Sequence, residues 1–223
     1  MSESRRRAGM IAAWEAIAHT VIDVRYVGVT LAYINVLWLF SSVLIVTAPP
    51  ATAALYAITR EIGHRRAVGW RDFLHALKAH FWVGWRWALL NLVAAGIIFA
   101  NLTFYSYLES PVGLLLIGLW LGITFVWLIV QMYCLPVLLE QTQPRVCTAL
   151  RNAFVISLRH PLFTLTYALV AGFFVFISVV VPYLWAIITP ALLAFMYNRA
   201  AFYIIQIEQG NDPDLEIEQF SKG

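Results

Sequence analysis

Apolar residues in this chain come in long, nearly unbroken runs, at 27–47, 87–108, 114–139, 162–181 and 183–205. About 20 such residues suffice for a helix to cross a ~30 Å hydrocarbon core, and each run reaches that length. The pattern therefore predicts an all-α, polytopic membrane bundle with five long spans and a short returning or re-entrant helix at 51–63. Residues 1–205 form a single transmembrane helical domain on this reading, followed by an acidic cytoplasmic tail at 206–223 with Glu208, Asp212, Asp214, Glu216 and Glu218. Two amphipathic segments precede spans. In 70–82, Trp70, Phe73, Leu74, Leu77 and Phe81 share one face and Arg71, Asp72, His75 and Lys78 the other. In 147–159 a looser version sets Cys147, Leu150, Phe154 and Leu158 against Thr148, Asn152 and Arg159. A third, at 10–24, has Ile11, Trp14, Ile17, Val21 and Ile22 on one side and Glu15, His19 and Asp23 off it. With Arg5-Arg6-Arg7 beside it, it predicts a helix lying on the bilayer surface.

The first run ends at Thr47-Ala48-Pro49-Pro50, and a small-residue segment with Ala51, Thr52, Ala53, Ala54 and Ala57 follows. Proline lacks a backbone donor and restricts the residue before it, so Pro49 and Pro50 are expected to end the first helix. Cation placement orients the chain, because loops retained in the cytoplasm are rich in Lys and Arg. Residues 60–86 hold Arg60, Arg65, Arg66, Arg71, Lys78 and Arg86, and 140–160 holds Arg145, Arg151 and Arg159, so both are placed inside. The Glu109 and Pro182 turns carry no cation and are placed outside. A single crossing by 27–47 would put Arg5, Arg6, Arg7 and Arg25 outside, against the rule. A hairpin, with 51–63 returning along the first span, keeps both termini cytoplasmic and is favoured. Residues 1–23 lack the short apolar core and small-residue cleavage site of a signal peptide.

Composition sharpens the class. Hydrophobic residues make up 61% of the chain and charged residues 12%, about half the charged share of a soluble domain. Mean hydropathy is +0.76. Trp82, Trp85, Trp87, Tyr105, Tyr107 and Tyr183 stand near span ends, as an interfacial belt requires. The chain has no G-x-x-x-x-G-K-[ST], H-E-x-x-H or G-x-S-x-G motif. His64, His75 and His80 have no carboxylate or cysteine at ligand spacing, so solvent or headgroup contact is expected rather than a metal. Cys134 and Cys147 are expected to be free thiols. No Asp or Glu lies inside a run away from its ends, which disfavours a proton-coupled carrier. Amides and hydroxyls supply the midspan polarity, at Asn35, Ser41, Ser42, Asn91, Asn101, Thr124, Gln131 and Asn198. Interhelical hydrogen bonds worth ~0.6 kcal/mol each account for most of them, with Asn35 and Gln131 the best candidates for more. No enzyme activity, cofactor, metal or nucleic-acid partner is expected.

The run Asn35-Val-Leu-Trp38, the cluster Thr47-Ala-Pro-Pro50, then Ala53-Ala-Leu-Tyr56, and then Phe73 with Lys78-Ala-His80-Phe81, resembles the bacterial YesL-like family, the domain of unknown function 624. The family's usual proline ahead of the threonine is replaced here by Leu44-Ile45-Val46-Thr47, and His80 stands where Asn is usual. The resemblance covers about residues 25–100 well and the remainder only by hydropathy. It brings no catalytic residues. It implies a bacterial plasma-membrane protein of the kind often encoded beside sugar-uptake ABC transporters.

The expectation is therefore an accessory or assembly partner of a carbohydrate ABC transporter. The alternative is a small stand-alone carrier or channel, with homo-oligomerisation open in either case. The basic segment 60–86 is the candidate partner surface, through Arg71, Phe73, Lys78 and Phe81, unless it only meets anionic lipid. A weak repeat of span, surface helix and span is discernible when 67–96 is set against 143–172.

Overall fold

The computed structural model describes residues 3–64 and 66–209, and among these all regular structure is helical. The helices are α1 (Glu3–Ser42), α2 (Ala48–Gly63), α3 (Trp70–Ala79), α4 (Phe81–Ser106), α5 (Pro111–Glu140), α6 (Val146–Arg159), α7 (Pro161–Val180), α8 (Pro182–Ile187) and α9 (Thr189–Gln209). Three of them, α4, α5 and α7, are long and apolar enough to cross a membrane. At 40 and 21 residues α1 and α9 are also long enough, and each carries polar residues in mid-helix, Asn35 in α1 and Asn198-Arg199 in α9. Moreover, α1 stops at Ser42, which leaves Val43, Leu44, Ile45 and Val46 of the expected span outside any helix.

The short helix returns along the first. Trp38 Nε1 donates to Thr52 Oγ1 at 3.2 Å near the turn, and Val27 and Ile62 face a common cavity at the other end. Between them Leu31 and Ile34 meet Ala51, Ala54, Leu55 and Ile58 in one buried cluster. Ala51, Ala53 and Ala54 are fully buried, because small side chains let helix backbones approach closely where lipid gives no hydrophobic drive to associate.

The prolines play a different part from the one expected of them. They do not end α1, which stops several residues earlier; they occupy the first positions of α2, where a missing N–H would have had no intrahelical partner anyway. The break itself is Val43–Thr47. Thr47 Oγ1 donates back to the carbonyls of Ser41 and Leu44, and Trp85 Nε1 donates to Val46 O at 3.1 Å. Replacing Pro49 and Pro50 together with Ala is accordingly expected to leave the hairpin in place. Cysteine-accessibility profiles over residues 51–63 should match in parent and double variant; a shifted profile would return the break to the prolines.

Two further expectations change. Residues 10–24 form no separate surface helix: they continue α1, Ile17 is 5% exposed in the main core, and Thr20 Oγ1 lies 3.2 Å from Tyr167 OH on α7. The side chains of Ile11, Glu15, His19, Val21 and Ile22 lie outside those described. The run 183–205 is also not one span, since it breaks at Ile188 between the six-residue α8 and α9.

Both amphipathic segments fold as helices. Phe73 of α3 is buried against α2, leaving Trp70, Arg71, Leu74, His75 and Lys78 exposed. On α6 only Leu150 of the expected apolar face packs against the core. Ala149, Ala153, Ile156 and Ser157 are buried while Cys147, Phe154 and Leu158 face outward, the two alanines marking the close approach to α5. Each of these helices passes to the next through a single histidine, His80 into α4 and His160 into α7. These two junctions lie eighty residues apart, which is not the offset at which 67–96 was set against 143–172.

The main core joins α5 (Val130–Leu138) to Ala149 and Ala153 of α6, Phe163 and Tyr167 of α7, and Met196, Ala200 and Ile204 of α9. Phe163 stacks on Tyr167 and Tyr203 with centroids 5.1 and 6.0 Å apart. The apolar stretches of α4 and α5 stand apart from this core, with 0% and 6% of their residues buried against 28% in α7.

Candidate functional site

Charged and polar side chains gather where α2 and α5 end and α9 passes between them. A cavity of ≈ 40 Å³ there is lined by Thr59, Arg60, His64, Glu140, Asn198 and Arg199, among others. Asn198 Nδ2 donates to Tyr56 O at 2.8 Å and to Thr59 Oγ1 at 3.0 Å, and Thr59 in turn donates to Leu55 O at 2.8 Å, so α9 is tied to the α2 backbone. Arg60 reaches across to α5, where its Nη1 donates to Leu139 O at 3.3 Å and pairs with Glu140 at 3.2 Å. That contact places a cation at a helix C-terminus, the end where the macrodipole favours it.

Arg199 forms the opposite wall. Its Nη2 pairs with Asp23 of α1 in an ion pair whose side chains are only 15% and 13% exposed, and its guanidinium lies 5.5 Å from the Phe195 ring centroid. Breaking such a pair strands a charge, so Asp23 and Arg199 hold α1 to α9 as a unit. Nε of Arg199 is buried and has no hydrogen-bond partner. Beyond Arg199 a second cavity of ≈ 410 Å³ is lined by Asp23, Tyr26, Thr30, Ile62, Arg66 and Phe195. His64 sits edge-on to Phe202 at 6.0 Å, and burial, then the nearby Arg60 charge, lower its pKa, so its imidazole is neutral at neutral pH. Burial and Arg60 do the same to His80.

The residues singled out from the sequence lie elsewhere. Asn35 is fully buried and binds the α8–α9 break: Nδ2 donates to Trp185 O at 3.3 Å and Ala186 O at 2.7 Å, and Oδ1 accepts from Ala191 N at 3.0 Å. Gln131 joins α5 to α4, with Oε1 accepting from Trp87 Nε1 at 3.0 Å and Asn91 Nδ2 at 3.4 Å, while Trp127 Nε1 donates to Asn91 Oδ1 at 3.2 Å. Thr47 closes the hairpin turn, and Pro49 and Pro50 open α2. Arg71 lies over the Trp70 ring at 5.3 Å, Lys78 is exposed, Phe73 is 1% exposed in the core, and half-buried Phe81 packs edge-on to Trp82 at 5.5 Å. None of these lines the polar cavity.

Sequence reasoning passed over Glu140 and Arg199, and it placed Asp23 only on the polar side of the 10–24 segment. The available signal was Asn198-Arg199, an amide and a cation well inside an otherwise apolar run. Among the described residues no three His, Cys, Asp or Glu side chains are placed to share a metal, and Cys134 and Cys147 are free thiols.

Comparison with curated proteins and with solved structures gives no match. Residues 31–102 match the sequence model of the family described as a protein of unknown function, DUF624, the domain that characterises the YesL-like family.

Proposed function

We propose that the protein is an accessory or assembly partner of a carbohydrate ABC transporter in the bacterial plasma membrane. On this reading α1, α4, α5, α7 and α9 are the five spans, α2 is the short returning leg, and both termini are cytoplasmic. The observation that carries the proposal is α3. Phe73 fixes this helix to the core, so that Arg71, Leu74, His75 and Lys78 project together from a rigid base. A fixed set of cations around an apolar side chain suits recognition of another protein, where particular positions matter. The partner class comes from the family resemblance. The alternative, a stand-alone carrier or channel, needs a polar route through the bundle. Fully buried Tyr133, Tyr167, Leu138 and Phe195 fill the interior instead, which weighs against it.

Lipid attraction depends on total charge, docking on position. Moving one cation along α3, by Arg71→Ala with Ala79→Arg, keeps net charge constant. The expected result is an unchanged protein level in the membrane, loss of a transporter permease from pull-downs in the native host, and reduced sugar uptake. Retention of both permease and uptake in this variant and in Lys78→Glu would reduce α3 to a membrane anchor.

A further inference from the structure

We infer that the cavity between Arg60 and Arg199 is a binding site for a single oxyanion group, a phosphate or carboxylate. This inference is independent of the transporter-partner reading. Size sets the first limit, because ≈ 40 Å³ corresponds to about three water molecules, enough for one such group and too little for a sugar ring.

Hydrogen-bond capacity sets the second. Both Asn198 amide protons are committed, to Tyr56 O and Thr59 Oγ1, and the Thr59 hydroxyl is committed to α2 carbonyls. Spare donors remain on the guanidiniums. Arg199 Nε is buried without a partner, and Arg60 uses Nη1 alone. A buried unpaired donor on a charged group is costly, and what satisfies it must bring acceptors.

Charge sets the third. Asp23 neutralises Arg199 from the far side, and Glu140 pairs with Arg60 inside the cavity. Glu140 is 48% exposed, however, so it can turn to solvent and leave Arg60 to an incoming oxyanion, which then bridges Arg60 and Arg199 Nε. Gly63 keeps this seat open. A Cβ at position 63 would lie 3.9 Å from Arg199 Nε and 3.8 Å from Phe195, ordinary contacts that the fold accepts.

The source of the oxyanion is either a free phosphate-bearing solute or an anionic lipid headgroup, and one set of measurements separates them. Full-length protein in detergent is titrated with inorganic phosphate, against chloride at matched ionic strength, while thermal unfolding is followed. A saturable rise of about 3 °C at tenfold excess over Kd is expected. Glu140→Gln, which removes the competing carboxylate, should bind phosphate about tenfold more tightly. Arg60→Gln should lose the response. Gly63→Ser should also lose it while melting no lower than the parent, because its hydroxyl supplies Nε with the missing acceptor. In nanodiscs, stabilisation by phosphatidylglycerol over phosphatidylcholine that is lost in Arg60→Gln, with no further effect of phosphate, assigns the lipid headgroup; a phosphate response undiminished by phosphatidylglycerol assigns a free oxyanion. If phosphate and chloride act alike on parent and Glu140→Gln, and phosphatidylglycerol is no better than phosphatidylcholine, the cavity holds only water and the inference is wrong.

Discussion

Asn35→Leu is expected to cost about 3–4 kcal/mol, enough to deplete folded protein in the membrane and lower its melting temperature in detergent by roughly 10 °C. The reason lies in the α8–α9 break. In a continuous helix Ala186 O would accept from residue 190, but that residue is Pro190 and has no N–H. Asn35 Nδ2 takes its place at 2.7 Å and also reaches Trp185 O. On the other side of the break the Ala191 amide donates to Asn35 Oδ1. One amide side chain thus supplies both donors and the acceptor that the break leaves wanting, at a site with 0% exposure. Leucine fills the space and removes all three bonds, and water is not at hand to replace them. Asn35→Asp should do little better, since its second oxygen would face two carbonyls. Asn101→Leu is the control. Asn101 bonds only to Ile97 O within its own helix, and its loss should stay within ~0.5 kcal/mol. Equal melting of Asn35→Leu and Asn101→Leu would refute the role assigned to the break.

Hydropathy made the helical class legible, because a membrane-crossing helix must satisfy its own backbone and so writes its length into the sequence. The expected runs 87–108, 114–139 and 162–181 lie within or almost within α4, α5 and α7. Which side of each helix faces protein was not legible. Lipid chains are as apolar as a protein core, so the large residues Phe154 and Leu158 of α6 marked the outward side and the alanines the contact. Asn35 stood out as a polar residue in mid-run, yet its partners depend on Pro190 breaking a run that hydropathy alone reads as continuous. The cavity was hidden for a different reason. Asp23 and Arg199 are 176 residues apart, and nothing local in either segment pairs them.

Glycines give a test whose sign depends on packing, not on residue type. A Cβ on Gly84 would stand 2.7 Å from Pro49 O and 2.8 Å from Pro49 C and Pro50 Cα. All three are backbone atoms at the start of α2, so no rotamer change relieves the clash; the helices must separate. Gly84→Ala is expected to destabilise by about 2–3 kcal/mol, and Gly84→Leu by more. Gly96, Gly118 and Gly122 sit on α4 and α5 with nothing within 4 Å of the corresponding Cβ, and there alanine should stabilise the helix by up to ~1 kcal/mol. Gly84 is the one buried residue of α4, and the apolar stretch of that helix is otherwise open. Gly84→Ala should therefore loosen the Trp85–Val46 contact that pins the hairpin turn, and raise the labelling of a cysteine placed at Ile45. Thermal unfolding of the four alanine variants side by side decides the matter. Position 84 should fall below the parent and the other three at or above it, and a Gly84→Ala protein as stable as Gly118→Ala would mean that α2 and α4 do not meet backbone to backbone.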